Sequence, residues 1–265
     1  MQENIKLIDL LIELTDARAP ESGLNPDIDA MAQNKSRIVI LNKSDMADPK
    51  ATEEWAESFR ERGYLCAAMD SRSNSGVKAI RPLIDQACRE KIERDRKRGI
   101  LNRPVRAMIA GIPNVGKSTF INSFAGKGVA KTGDKPGVTR GKQWIRINKQ
   151  VELLDTPGIL WPKFEDRLTG MRLAVLGSIR DELQDRTELA AWLIGWLTKE
   201  YPGALHERYQ LDESAEDAIK TLEAVARARG CLRAGGEADM EKGAAALIED
   251  YRSGRLGRIS LEKRS

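Results

Sequence analysis

The chain has 265 residues, 41% of them hydrophobic and 32% charged, with a net charge of +4. That length can bury two modest cores, and no stretch approaches the roughly 20 apolar residues of a membrane span, which excludes a helical membrane protein. Cys66, Cys88, Cys231 and the lone His206 are too few and scattered for a disulfide framework or a Cys/His zinc site, so any metal must be held by oxygens.

The opening, Met1-Gln-Glu-Asn-Ile-Lys6, lacks the basic-then-apolar layout of a secretory signal, and a reducing cytoplasm is the expected setting. A first apolar run, Leu10–Leu14, reads as a strand. A second, Ile38–Leu41, leads into Asn42-Lys43-Ser44-Asp45. A carboxylate at Asp45 can accept two hydrogen bonds, from the ring N–H and exocyclic amine of guanine, a donor pair that adenine lacks. Taken alone, four such residues also make an ordinary polar turn.

A helix-like segment with Trp55 and Phe59 one turn apart follows, then a strand over Leu65–Met69. Behind it comes Asp70-Ser71-Arg72-Ser73-Asn74-Ser75-Gly76, where backbone N–H groups near Ser71 could touch the guanine carbonyl. A generic Ser/Asn/Gly turn reads equally well. Val77 to Arg98 has helical spacing. From Arg89 to Arg106 there are eight basic residues against three acidic ones. Arg252, Arg255, Arg258, Lys263 and Arg264 repeat that bias near the end, a pattern suited to RNA or to a plain solvated surface.

The strand Val105–Ala110 opens into Gly111-Ile-Pro-Asn114-Val115-Gly116-Lys117-Ser118-Thr119, and a helix begins near Lys117. This strand-loop-helix context is what a phosphate-binding loop requires. Its backbone N–H groups approach the phosphates, Lys117 reaches the outer ones and the Ser118 hydroxyl can bind magnesium. Lys131–Thr139 is a turn-rich loop in which Thr139 is the second magnesium candidate, with Thr132 close by. Strands over Ile145–Ile147 and Val151–Leu154 precede Asp155-Thr-Pro-Gly158. Asp155 could hold magnesium through water and the Gly158 N–H could sense the terminal phosphate. Beyond about Lys163 only helical periods remain, as in Leu189-Leu193-Leu197, Ala218-Leu222-Val225 and Ala244-Leu247-Ile248, with breaks at Pro202-Gly203 and Gly235-Gly236.

These periods predict an α/β domain over residues 1–165, with a mostly parallel sheet, and an all-α domain over 166–265. The guanine-reading candidate precedes the phosphate loop, the reverse of the Ras-like order. A parallel sheet tolerates such a shuffle because each loop keeps its place at one sheet edge.

Together the motifs resemble those of the circularly permuted GTPases, most closely the ribosome biogenesis GTPase A group. The likeness covers nearly the whole chain and includes Asp16-Ala-Arg-Ala-Pro20, similar to that family's Asp-Ala-Arg-x-Pro segment, and the Pro136-Gly-Val-Thr139 switch. It implies a circularly permuted Ras-like P-loop GTPase domain with a C-terminal helical domain in contact with RNA or the ribosome. It also implies slow GTP hydrolysis stimulated by the large (50S) ribosomal subunit and partnership with its RNA and proteins. The expected cofactor is Mg2+, with potassium at Asn114 as in potassium-dependent GTPases, and the expected state a monomer. Two departures stand out. Ile159 follows Asp-Thr-Pro-Gly where Ras-like enzymes place a water-positioning glutamine, and the family's Trp-Phe-Pro-Gly-His segment is missing. No catalytic residue is therefore assigned, and the natural start is expected upstream of Met1. A GTP-dependent binding module without hydrolysis is the rival reading; a P-loop metabolic kinase is a weaker one, disfavoured by Asn42–Asp45.

Overall fold

The computed structural model describes residues 2–32, 35–100, 103–126, 143–147, 150–155, 166–179, 185–211 and 217–264. They fall into two units, Met1–Lys163 with Glu262–Ser265, and Phe164–Leu261. The boundary lies close to the expected one, but the residues from Glu262 onward group with the first unit rather than the second.

In the first unit the apolar runs become β1 (Leu10–Asp16), β2 (Ser36–Asn42), β3 (Leu65–Met69), β4 (Val105–Ala110), β5 (Gln143–Arg146) and β6 (Val151–Asp155). The sheet order is β3-β2-β1-β4-β6-β5. All pairings are parallel except β5 with β6. Every residue of β1 is buried. That burial explains its near-continuous apolar run, since a central parallel strand is covered on both faces. Its buried exception, Glu13, is held by an ion pair with Arg37 and accepts the Asn25 N–H at 3.2 Å.

Helix α1 (Gln2–Ile5) precedes β1, and α2 (Pro26–Met31), α3 (Pro49–Glu61), α4 (Asn74–Ala87), α5 (Arg89–Lys97) and α6 (Lys117–Ala125) connect the strands. The Asp48 side chain caps α3 by accepting the N–H groups of Lys50 and Ala51, and α3 buries Ala56 and Phe59 against Val39, Leu41 and Cys66. Two sequence expectations shift. The fifth strand starts at Gln143, not Ile145. The helix expected over Val77–Arg98 is divided at Cys88, whose φ of −104° and ψ of 8° leave the helical region. Hydrogen bonding continues across the break, from Cys88 N to Ile84 O and from Ile92 N to Cys88 O, so the chain bends without opening.

The second unit holds α7 (Arg167–Val175), α8 (Arg186–Glu200), α9 (Ala204–Tyr209), α10 (Ala218–Ala228) and α11 (Met240–Arg252). Leu189, Leu193 and Leu197 of α8, Leu222 and Val225 of α10, and Ala244, Leu247 and Ile248 of α11 form its core, as their spacing predicts. One fully buried carboxylate, Asp250, accepts from Arg208 Nε at 2.9 Å, Tyr209 OH at 3.1 Å and Arg255 Nη1 at 3.0 Å. These donors hold it below the usual carboxylate range against the opposing effect of burial. Gly203 caps α9 at its N-terminus, and Gly235-Gly236 lie in the turn closed by a bridge between Leu232 and Ala238.

Candidate functional site

Five strands point the same way, so the segments that follow β1, β2, β3, β4 and β6 all emerge at one edge of the sheet. In open α/β sheets that carboxyl edge is where ligands bind. The candidate motifs, separated by up to about a hundred residues in sequence, are brought there by register: Asp16 pairs with Asn42, Asn42 with Met69, and Met108 with Leu154.

The loop after β4 is built for close approach. Gly111 has φ of +153° and Gly116 of +99°. A β-carbon on Gly111 would lie 2.5 Å from the Leu14 carbonyl oxygen, and one on Gly116 2.5 Å from Asn42 Nδ2. Only glycine lets the loop pack against β1 and against Asn42 at once. Gly116 is also the left-handed N-cap of α6 and makes no side-chain cap bond, and a helix N-terminus of this kind suits an anion. Ser118 and Thr119 stand half-buried in that turn. Lys117 Nζ donates to the Gly111 and Ile112 carbonyls at 2.9 Å each, which folds it back over the loop where phosphates would sit.

The Asn42–Asp45 segment is bonded directly to this loop. Asn42 Nδ2 donates to Val115 O at 2.7 Å and Lys43 Nζ to Asn114 O at 2.8 Å. Ser123 Oγ on α6 donates to Ser71 O at 2.6 Å. The Ser71 amide and hydroxyl both donate to Asn42 Oδ1, at 3.0 and 2.7 Å. Ser71 thus orients Asn42, a role its sequence did not reveal. Asp45 forms an exposed ion pair with Arg72, which also bonds Asp70 at 3.1 Å. Water screens such a pair, so two guanine donors could replace Arg72 at small cost. Ser44 N is tied to Met69 O at 3.2 Å, joining the β2 and β3 loops.

Asp155 ends β6, its backbone opposite Gln143 of β5 and one residue beyond the Met108–Leu154 pair. Thr139, Thr132 and Gly158 lie outside the described residues. Among the described residues no group of three His, Cys, Asp or Glu side chains could hold a metal ion. His206 bonds Leu211 O at 2.7 Å in the second unit. The two basic runs also part ways. Arg94, Arg96, Lys97 and Arg98 stand exposed at the end of α5. In the later run, Arg252 donates to the Val175 and Ala174 carbonyls, Arg255 to Asp250 and Arg264 to Glu61, so much of that charge is committed to holding structure.

Comparison with known proteins bears on the family and the fold. The family described as "50S ribosome-binding GTPase" matches residues 106–226, a match that begins in β4 and leaves Asn42–Asp45 before it. Ribosome biogenesis GTPase A of Bacillus cereus is 45% identical over 98% of this chain and 88% of its own length. Mitochondrial ribosome-associated GTPase 1 of Xenopus tropicalis is 32% identical over 84% of this chain and 73% of its own. Among solved structures, GDP-bound YlqF of Thermotoga maritima aligns over 99% of this chain and 97% of its own, with a TM-score of 0.71 and 25% identity. The form of that protein bound to GNP gives 0.68 and 26% over 99% and 95%.

Proposed function

Because the chain belongs to the ribosome biogenesis GTPase A family of circularly permuted GTPases, we propose that it is a GTP-hydrolysing assembly factor that docks on the large ribosomal subunit in the GTP state and leaves after hydrolysis. The observation that carries the nucleotide part is the pair of bonds from Asn42 and Lys43 to the carbonyls of Val115 and Asn114. They fix the base-reading segment at one distance from the phosphate loop, as a single nucleotide spanning both would require.

In this reading Asp45 accepts the two guanine donors and Asn42, held by Ser71, keeps the loop in place. The N–H groups of Gly111 to Thr119 receive the phosphates, with Lys117 swinging from its own loop carbonyls onto the outer phosphate oxygens. Ser118, with Asp155 and Thr139, would hold Mg2+, an assignment that the oxygen-only donor set at this edge fits. Magnesium there supplies positive charge against the triphosphate. Asn114, exposed on the loop with a φ of +60°, is assigned as a ligand for potassium, which would add charge beside the phosphates. Gly158 is assigned to the terminal phosphate. The exposed basic end of α5 suits a phosphate-rich surface, consistent with RNA as the partner.

The test is co-sedimentation of the purified chain with separated large and small ribosomal subunits, in GDP and in a non-hydrolysable GTP analogue. Binding to the large subunit with the analogue and not with GDP is expected. Binding to neither subunit would remove the assembly role and leave the nucleotide site alone.

A further inference from the structure

The Asp16-Ala-Arg-Ala-Pro20 segment makes no contact that the nucleotide reading above assigns, yet it is among the most buried polar stretches in the chain. Asp16 and Arg18 are each 1% exposed. The Asp16 carboxylate is saturated: Oδ1 accepts from Arg18 N at 3.1 Å and Arg18 Nε at 2.9 Å, while Oδ2 accepts from Arg18 Nη2 at 2.9 Å and pairs with Lys43 Nζ at 3.0 Å. Four donors fill its acceptor sites, so Asp16 has no capacity left for a metal or a base.

From this arrangement we propose that Asp16, braced by Arg18, is the positioning residue of the base-reading loop and acts through Lys43. The inference rests on the assignment of Asn42–Asp45 to the guanine base. Lys43 holds a φ of +59°, a left-handed backbone that a lysine adopts only under constraint from its surroundings. Its ammonium is shared between the Asp16 carboxylate and the Asn114 carbonyl of the phosphate loop. The backbone follows the same path: Ala17 N donates to Asn42 O at 2.7 Å, and Ala19 N turns back to Asp16 O at 3.0 Å. Thr15 Oγ1 closes the turn on Pro20 O at 2.8 Å. Behind the carboxylate stands the planar, two-pronged Arg18 guanidinium, a geometry that lysine could not supply. A fixed anion thus aims one fixed cation, and that cation sets the spacing between the two halves of the nucleotide site.

A double-mutant cycle on the full chain tests this, read as dissociation constants for fluorescent GDP. Lys43→Ala and Asp16→Asn should each weaken binding by about tenfold, and the pair together should be no weaker than Lys43→Ala alone. Additive losses, with Asp16→Asn costing as much without Lys43 as with it, would overturn the proposal. Since Asp16→Asn leaves a buried guanidinium without its anion and could unfold the chain, Asp16→Asn with Arg18→Met removes both charges. That variant should melt cooperatively and still lose affinity; full affinity in it would equally overturn the idea. Asp45→Asn serves as the control for the parent reading: it should shift preference from guanine to xanthine. A failure of that shift would displace the base-reading assignment, whereas a correct shift with an additive cycle would displace only the role of Asp16.

Discussion

Two residues of the site, Lys43 and Asn114, hold positive φ without being glycine, and each faces the other across the bond from Nζ to the carbonyl. Such backbone strain costs on the order of 1–2 kcal/mol per residue and persists where surrounding contacts over-determine it. The potassium assignment turns on Asn114 in this pair. Turnover should fall several-fold when sodium replaces potassium at constant ionic strength, and Asn114→Ala should abolish the difference, both read by phosphate release. Equal rates in the two salts would remove the ligand. At this scale the sequence is partly legible. Residue types with a fixed offset, such as Gly111, Gly116, Lys117 and Ser118, announce themselves because the loop's backbone geometry admits few alternatives. Ser71 does not, because its choice between a base and Asn42 Oδ1 depends on a strand 29 residues away. The pairing of Asp16 with Arg18 and Lys43 is hidden for the same reason: a charged tripeptide at a strand end reads as surface until β2 is laid beside it.

At the scale of elements, strand existence follows from apolar runs, and their ends move by one or two residues as neighbours complete the ladder. The bend at Cys88 carries no glycine or proline signal. It is made by packing, with Cys88 1% exposed and Ser36 Oγ bonded to Ala87 O at 2.6 Å. Burial pushes the Cys88 thiol up to about 11 and that of Cys66 up to about 12, so both behave as small apolar groups at neutral pH. Beyond the bend, Lys91 anchors α5 by pairing with Asp9 at 3.3 Å and Asp95 at 3.1 Å, while Arg94, Arg96, Lys97 and Arg98 turn outward. If this end of α5 meets ribosomal RNA, Arg96→Glu with Lys97→Glu should weaken subunit binding, most at low salt. It should also lower the slope of log affinity against log salt by about one to two, with GDP affinity unchanged. An unaltered slope would place the RNA contact elsewhere.

At the scale of the whole molecule, the permutation is readable because motif order is a linear property of the chain, and β1 then joins the halves by pairing with both β2 and β4. The return of the last residues to the first unit is not readable. Glu262, 3% exposed, accepts from Glu21 N at 2.8 Å, Ser22 N at 3.0 Å and the Ser22 hydroxyl, across some 240 residues of sequence. Its own carbonyl takes a long bond from Trp55 Nε1 at 3.4 Å, and Arg264 pairs with Glu61 at 2.8 Å. Glu262→Ala would strand two backbone N–H groups and a hydroxyl. It should destabilise the first unit by about 1–3 kcal/mol, a fall in its melting temperature of roughly 2–4 °C per kcal/mol by calorimetry. An unchanged transition would show that water replaces the carboxylate without loss.

That same long-range bond has a meaning for how the protein is made. A ribosome that has finished all six strands has not yet supplied the carboxylate that receives Glu21 and Ser22. It must first translate the helical unit, close to a hundred residues, which at about 5–20 residues per second takes on the order of 5–20 s. During that interval the turn beside Pro20 waits with its donors facing water, in a segment that leads directly from Asp16. A turn made before most of the sheet is therefore among the last to be locked.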